Sequence, residues 1–155
     1  MRKLALFDLD GTINTSNARS ALIPENRTNN AAWLGWHKAF RMERLNLSLI
    51  HTARCMAKAG YEIGVVSNRD VSVENDTRIY LGNSGFAASR YHLRNADDNR
   101  RTRDWKVSTV YNLLVYSGPV EVHMFDDDLP ALKELCELFQ YNKEVQFIPH
   151  HVTFK

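Results

Sequence analysis

"KLALFDLDGTIN", residues 3–14, runs four apolar residues, Leu4 to Phe7, straight into two aspartates one residue apart. A short, unbroken apolar run of this kind suits a strand covered on both faces, as in a parallel sheet flanked by helices. Asp8 and Asp10 then stand where that strand ends. Two carboxylates so close repel each other. A fold keeps them at the end of a buried strand when a cation or a reaction holds them there.

The same apolar signature recurs in "YEIGVV" (61–66), "VEVHMF" (120–125) and "VQFI" (145–148), with "SRYHL" (89–93) a weaker fifth candidate. Helical periodicity fills the gaps. Leu49, Ala53, Met56 and Ala57 share a face over 46–59, which ends at the helix stop Gly60. Val73, Thr77, Tyr80 and Leu81 do so over 73–83. Val107, Val110, Tyr111 and Leu114 do so over about 104–116. Leu129, Leu132, Cys136 and Phe139 follow over 129–140, with Pro130 tolerated in the first turn. Strands alternating with helices predict an α/β fold, a three-layer Rossmann-like parallel sheet of about five strands with helices on both faces. Its ligands bind at the carboxyl ends of the strands. The length of 155 residues fits one domain, residues 1–155.

Residues 14–45 break the alternation. "NTSNARSALIPENRTNN" reads as a polar loop, and "AAWLGWHKAFRMERL" as a short helix bearing Trp33, Trp36 and Phe40. This insert lies over the strand ends as a small cap, or packs on the sheet edge. The sequence allows both placements.

Composition excludes little. Hydrophobic residues make up 44% and charged residues 25%, as in ordinary globular proteins. A net charge of +2 gives no general case for nucleic-acid binding, which would need a local basic patch. Cys55 and Cys136 sit in helical patterns without a C-x-x-C partner, so two reduced core thiols are expected. No apolar run is long enough to span a membrane, and Met1-Arg2-Lys3 leads into a strand rather than a leader. A cytoplasmic location is expected, the host cytoplasm if the chain is of phage origin. His150 and His151 read as a surface tail.

The chemistry lies in the residues just past each strand. Asp8, Asp10 and Thr12 follow the first; Ser67, Asn68, Arg69 and Asp70 the second; Asp126, Asp127 and Asp128 the fourth. Lys106 opens a helix. A parallel sheet gathers these ends on one rim. Clustered carboxylates need a hard cation, and Mg²⁺ takes one or two carboxylates plus water and substrate oxygens. A lysine and a hydroxyl suit phosphate. The reaction implied is phosphoryl transfer. "FDDD" also reads partly as a helix cap, which accounts for Asp128 but not for Asp126 and Asp127.

These residues resemble the motifs of the haloacid dehalogenase (HAD) superfamily of phosphatases. "FDLDGT" at 7–12 is similar to its first motif, Ser67 in "VVSNR" to the second, Lys106 in "RDWKV" to the third and "FDDD" at 125–128 to the fourth. The resemblance implies that Asp8 is the nucleophile that forms an aspartyl-phosphate. It implies Asp10 as general acid and then base, and Lys106 and Ser67 as holders of the phosphoryl oxygens. Mg²⁺ would be held by Asp8, the Asp10 carbonyl, Asp126 and Asp127. A narrower stretch, "YHLRNADDNRRTRDWKVSTVYNLL", resembles phage-type polynucleotide kinase 3′-phosphatase domains. Arg94, Asp98 with Arg100, and Asp104 before Lys106 match it, as do Arg69, Thr77 and Arg19. Thr12, Ser67, Asn68, Arg69, Arg19, Arg94 and Arg100 are the implied substrate contacts. Here Asn68 stands where a glycine is usual, and Asp128 where an arginine is usual. No G-x-x-x-x-G-K-[ST] loop occurs, so a kinase half is absent from this sequence.

Between Arg90 and Lys106 stand six cations (Arg90, Arg94, Arg100, Arg101, Arg103, Lys106) against three acids (Asp97, Asp98, Asp104). Such a segment flanks a nucleic-acid or nucleotide phosphate, or is a solvated loop of local ion pairs. Trp33, Trp36 and His37 can stack on a base or pack the insert. The expected activity is Mg²⁺-dependent removal of a polynucleotide 3′-phosphate. The alternatives are a 5′- or 3′-nucleotidase or small phosphate-ester phosphatase, and a catalytically silent nucleic-acid-binding or docking domain.

Overall fold

The computed structural model describes residues 1–154. Five strands, β1 (Arg2–Phe7), β2 (Glu62–Asp70), β3 (Arg90–Arg94), β4 (Val120–Asp126) and β5 (Val145–His151), form one sheet. The order is β3-β2-β1-β4-β5 and every pairing is parallel. The helices are α1 (Leu34–Lys38), α2 (Leu47–Lys58), α3 (Glu74–Asn83), α4 (Thr102–Val115) and α5 (Leu129–Phe139).

The side-chain alternation of β1 shows why the sheet has two covered faces. Leu4 and Leu6 enter a core with Val110 and Leu114 of α4 and Leu132 and Leu135 of α5. Ala5 and Phe7 point the other way, to Leu49, Ile50 and Ala53 of α2 and Leu81 of α3. This is the three-layer parallel architecture. β1 lies at its centre, so the residues that follow it emerge in the middle of the strand-end rim.

Details depart from the expectations. β2 runs on to Asp70, through the polar Ser67-Asn68-Arg69, because an irregularity between Ser67 and Asp70 lets Asp70 pair with Arg94 of β3. The insert is not one helix. It holds 3₁₀ turns at Ser20–Leu22 and Asn30–Trp33, the five-residue α1, and a third 3₁₀ turn at Phe40–Met42. The Trp36 carbonyl, which a continuing helix would offer to Phe40, instead accepts from Arg19 Nη1 (2.9 Å) and the Ala39 N–H (3.3 Å). Asn14 and Leu45 pair antiparallel, so the excursion leaves and rejoins the core at one place. The thiols are not in the core: Cys55 is exposed and Cys136 half-buried. Leu49, Ile50 and Ala53 take the inner face of α2, and Cys55 falls outside it. On α5 the buried face is Ala131, Leu132, Leu135 and Phe139, leaving Leu129 and Cys136 at its margin. Tyr111 of α4 is likewise exposed. No helix among the described residues is long and apolar enough to cross a membrane.

Leu6 is 1% exposed in the central strand. Leu6→Ala is expected to lower unfolding free energy by about 2–5 kcal/mol. The same truncation at the exposed Leu138 should change it by no more than about 0.5 kcal/mol, with both read by urea unfolding.

Candidate active site

The turn after β1 is wound tightly on one carbonyl. The N–H groups of Thr12, Ile13 and Asn14 all donate to Leu9 O at 3.0, 2.9 and 3.1 Å, and the Asp8 N–H ties to Phe125 O of β4 at 2.9 Å. Gly11 lies in the left-handed region at φ +87°, and a Cβ there would stand 2.3 Å from Asp127 Oδ2. Glycine thus serves the turn and also lets Asp127 fold over it. From β4, Asp126 points into the same space. Asp128 accepts from the Ala131 N–H (3.0 Å) and caps α5, the helix-cap role that the sequence allowed.

Lys106 reaches this point from α4. Its Nζ is 3.4 Å from Asp8 Oδ1 and 2.8 Å from Asp126 Oδ2. It donates to Asp126 Oδ1 at 3.1 Å. Asp126 Oδ2, fully buried, has this charge contact but no hydrogen bond of its own. Thr12 Oγ1 donates to Asp8 Oδ2 at 3.3 Å. Oxygens of Asp8, Asp126 and Asp127 all lie within 4.8 Å of one another. An all-carboxylate donor set converging on one point, with a single lysine against it, fits a hard divalent cation such as Mg²⁺.

The charges are strongly coupled. Burial first, and then the Asp126 charge, raise the Asp8 carboxyl well above the usual aspartate range; Lys106 opposes them. Burial also raises Asp126, against the pull of Lys106. Burial alone would lower the Lys106 ammonium, but Asp8 and Asp126 outweigh it and hold it above the ordinary lysine value.

Asp10 has a different environment. Its Oδ1 accepts from Arg19 Nη2 (2.6 Å), Arg69 Nη2 (2.8 Å) and Asn14 Nδ2 (2.9 Å). Burial would raise this carboxyl, but Arg69 and then Arg19 reverse the effect and keep it ionised far below the usual range. Both arginines are fully buried and themselves anchored. Arg19 binds Glu43 Oε2 (2.8 Å) and lies over the Trp36 ring, its Cζ 3.6 Å from the centroid. Arg69 binds Asn14 Oδ1 (3.0 Å) and Thr77 Oγ1 (3.2 Å). Arg19 and Arg69 were expected to contact substrate. The structure commits them to Asp10, because a buried guanidinium needs an anion and Asp10 is the one that both can reach. The Asp10 carboxylate faces these arginines and lies outside the Asp8–Asp126–Asp127 trio.

The remaining candidates line the rim. Ser67 is buried and its Oγ accepts from the Arg69 N–H (3.2 Å), which leaves the hydroxyl proton free to donate. Asn68 Oδ1 accepts from Arg94 Nη1 (3.1 Å), and Arg94 also donates to the Arg100 carbonyl. Arg100 is paired to Asp98 (2.7 Å) and Arg101 to Asp104 (2.7 Å), both on the surface. Arg103 reaches Glu134 at 3.9 Å, and Arg90 reaches Glu62 at 3.3 Å. The basic segment is therefore mostly neutralised locally. An open cleft of about 430 Å³ joins Asp8, Asp10, Ser67, Asn68, Lys106 and Asp127.

Three polar residues at the site carry no strong sequence signal. Asn14 bridges Asp10 and Arg69. Glu43 is buried and bonded to Arg19, Thr15 Oγ1 (2.9 Å) and the Ala18 N–H (2.9 Å). His37, read as a stacking or packing residue, is buried against the cleft, and burial lowers it to about 4, so it is neutral at pH 7. Only the position of Glu43, just before the chain rejoins the core, hints at its use.

No protein-family model and no curated protein sequence matches the chain. Among solved structures, a chain of the Pnkp1/Rnl/Hen1 RNA repair complex superposes with a TM-score of 0.66 at 17% identity, covering 99% of this chain and 43% of that one. Another determination of the Pnkp1/Rnl/Hen1 complex gives 0.64 at 17% identity, over 100% and 48%. The HAD domain of effector protein Lem4 from Legionella pneumophila gives 0.59 at 16% identity, over 98% and 86%. The chain spans less than half the length of the repair-complex chains. At these identities the likeness establishes the fold, which is the α/β fold of HAD domains.

Burial would raise the Glu43 carboxyl, but its bonds to Arg19, Ala18 and Thr15 hold it below the usual glutamate range. A depressed acid stabilises the fold above its unfolded value, about 4.3, and that contribution is lost as pH falls through the folded value. Glu43→Gln is therefore expected to cost about 3 kcal/mol at pH 7. Urea unfolding should show the gap to the parent narrowing below about pH 4.

Proposed function

We propose that the chain is a HAD-type, Mg²⁺-dependent phosphomonoesterase that works through an aspartyl-phosphate on Asp8, and that its substrate is the 3′-phosphate of a polynucleotide. The observation that supports it most is the convergence of Asp8, Asp126 and Asp127 at the centre of the strand-end rim, with Lys106 bridging Asp8 and Asp126. Asp8, Asp126 and Asp127 would hold Mg²⁺, with the Asp10 carbonyl the further ligand that the motif resemblance implies. When bound, the ion neutralises the clustered acids and draws charge from the phosphoryl oxygens.

The chain's own groups then divide the work. An Asp8 oxygen attacks phosphorus, a P–O bond to Asp8 forms, and the ester P–O bond breaks. Lys106 and the free Ser67 hydroxyl proton face the cleft and stabilise charge on the phosphoryl oxygens. Asp10 gives a proton to the leaving oxygen. In the second step water attacks phosphorus, Asp10 takes its proton, and the bond to Asp8 breaks. The arginine pair keeps Asp10 ionised at rest, which readies it as the base. To act as the donor it first takes up a proton, from solvent or from the substrate phosphate monoanion, as substrate binding loosens its pairing with the two arginines. Arg19 and Arg69 are thus positioning residues. General acid–base help of this kind contributes roughly 10²–10⁴-fold.

The fold shared with chains of an RNA repair complex supports a nucleic-acid end as substrate. Phosphate release is to be compared for a 3′-phosphorylated oligonucleotide, its 5′-phosphorylated counterpart and mononucleotides, with Mg²⁺ and with chelator. Release from the 3′ end, abolished by chelator and by Asp8→Asn, is expected. Preferential release from mononucleotides would make the protein a nucleotidase, and no release from any substrate would leave a silent domain. Asp10→Asn should cost more than tenfold more on an alkyl than on an aryl phosphate, because an aryl leaving group needs little protonation; equal losses would remove Asp10 as the acid.

A further inference from the structure

A second pocket, about 390 Å³, opens beside the catalytic cleft and shares Trp36, His37, Asn68 and Thr102 with it. Its volume is at the small-ligand end of the usual range, about 300–1,000 Å³. One wall is the insert, with Arg27, Trp33, Trp36 and His37. The other is the end of β3 and the loop from it to α4, with Arg94, Asn99 and Arg100. Two hydrogen bonds join the walls: the Asn30 N–H donates to Asn99 Oδ1 (2.8 Å) and Asn30 Nδ2 donates to the Asn95 carbonyl (2.8 Å).

The lining combines flat rings with cations. Trp33 and Trp36 meet edge to face at 5.5 Å, and Arg19 already covers one face of Trp36, so the half-buried Trp33 is the ring that offers a face to a ligand. Arg27 is exposed and makes no ion pair among the described residues, unlike Arg100 and Arg101. Buried polar atoms are normally hydrogen-bonded. Yet among the described residues five buried side-chain atoms lack a partner, and three of them, Trp36 Nε1, His37 Nδ1 and Arg94 Nε, belong to residues of this pocket. Arg94 and His37 are each 4% exposed. The site is thus built for a ligand with a flat face, hydrogen-bonding edges and negative charge.

We infer that this pocket is a one-nucleotide subsite that takes the terminal nucleoside and its 5′-side phosphate, and so selects a single-stranded nucleic-acid end. The inference rests on the phosphatase reading, which places the 3′-phosphate at Asp8. With the phosphate there, the attached nucleoside enters the shared boundary at Trp36 and His37. The base stacks on an indole, and the next phosphate meets Arg27. Stacking on an aromatic ring tolerates any base, so the subsite reads strandedness rather than sequence. A volume of about 390 Å³ between the bridged walls suits one nucleotide, not a base pair.

The test is equilibrium binding, with Mg²⁺ and in the Asp8→Asn background so that nothing turns over. The probes are a fluorescent 3′-phosphorylated single strand and the blunt duplex carrying the same end. The single strand is expected to bind at least about tenfold tighter. Trp33→Ala and Arg27→Glu should each weaken it by about tenfold or more, and Trp33→Phe should restore most of the loss. Arg27→Ala should reduce the slope of log affinity against log salt by about 0.7, one phosphate contact on a single strand. Equal affinity for both probes, or variants that leave binding unchanged, would overturn the subsite. Arg27 is exposed, so its variants decide the matter even where a tryptophan variant fails to fold. Hydrolysis of an aryl phosphate by the parent protein reports separately on the phosphatase reading. That activity without strand discrimination removes the subsite alone, and its loss with discrimination intact removes the chemistry alone.

Discussion

The ammonium of Lys106 lies between Asp8 and Asp126, at the ends of two adjacent parallel strands. Much of the rim depends on it. At an effective dielectric of about 20, two like charges about 4 Å apart repel by about 4 kcal/mol. A domain's whole stability is about 5–15 kcal/mol. Two buried carboxylates plus Asp127 could not share the rim unneutralised. One lysine offsets part of this, and the carboxyl of Asp8 still stands well above its ordinary range. The site therefore carries an unmet demand for positive charge where the oxygens of Asp8, Asp126 and Asp127 converge.

The insert follows from the same constraint one step further out. Asp10, two residues on, cannot share Lys106. Arg19 and Arg69 neutralise it instead, and each must be anchored from behind, by Glu43 and by Thr77 with Asn14. Arg19 and Glu43 belong to the insert, so the excursion between Asn14 and Leu45 completes the electrostatics of the turn it interrupts. Arg19 also takes the Trp36 carbonyl. That bond ends α1 after five residues and sets Trp36 and His37 at the edge of the cleft. Charge neutralisation and pocket shape thus share one guanidinium.

This division explains what is visible in the sequence. Leu4–Phe7 is legible as a strand because only two-sided burial suits an unbroken apolar run, Val120–Phe125 because its apolar residues recur at strand spacing, and the residues beyond both are brought together by parallel topology alone. The last part of β2 is hidden: Ser67-Asn68-Arg69 is polar, and a long-range pairing of Asp70 with Arg94 makes it strand. The insert reads as one helix because its periodicity is local, whereas the bond that breaks it comes from Arg19, 17 residues earlier. Arg19 and Arg69 read as phosphate ligands for a similar reason. A cation near an active site looks free until its buried anion is seen, and nothing local ties Arg19 to Glu43, 24 residues away. Asn14 is silent because an asparagine in a polar stretch has no periodicity to betray it.

The central claim is that the acid placed by Lys106 at the end of β1 is the atom that receives the phosphoryl group. The most direct measurement is mass spectrometry of protein quenched in acid during turnover. The account predicts a phosphoryl adduct on the peptide containing Asp8. The adduct should need Mg²⁺, be cleaved by hydroxylamine as acyl phosphates are, and be missing from Asp8→Asn. Phosphate release with no adduct at any quench time, or an adduct on another residue, would contradict it.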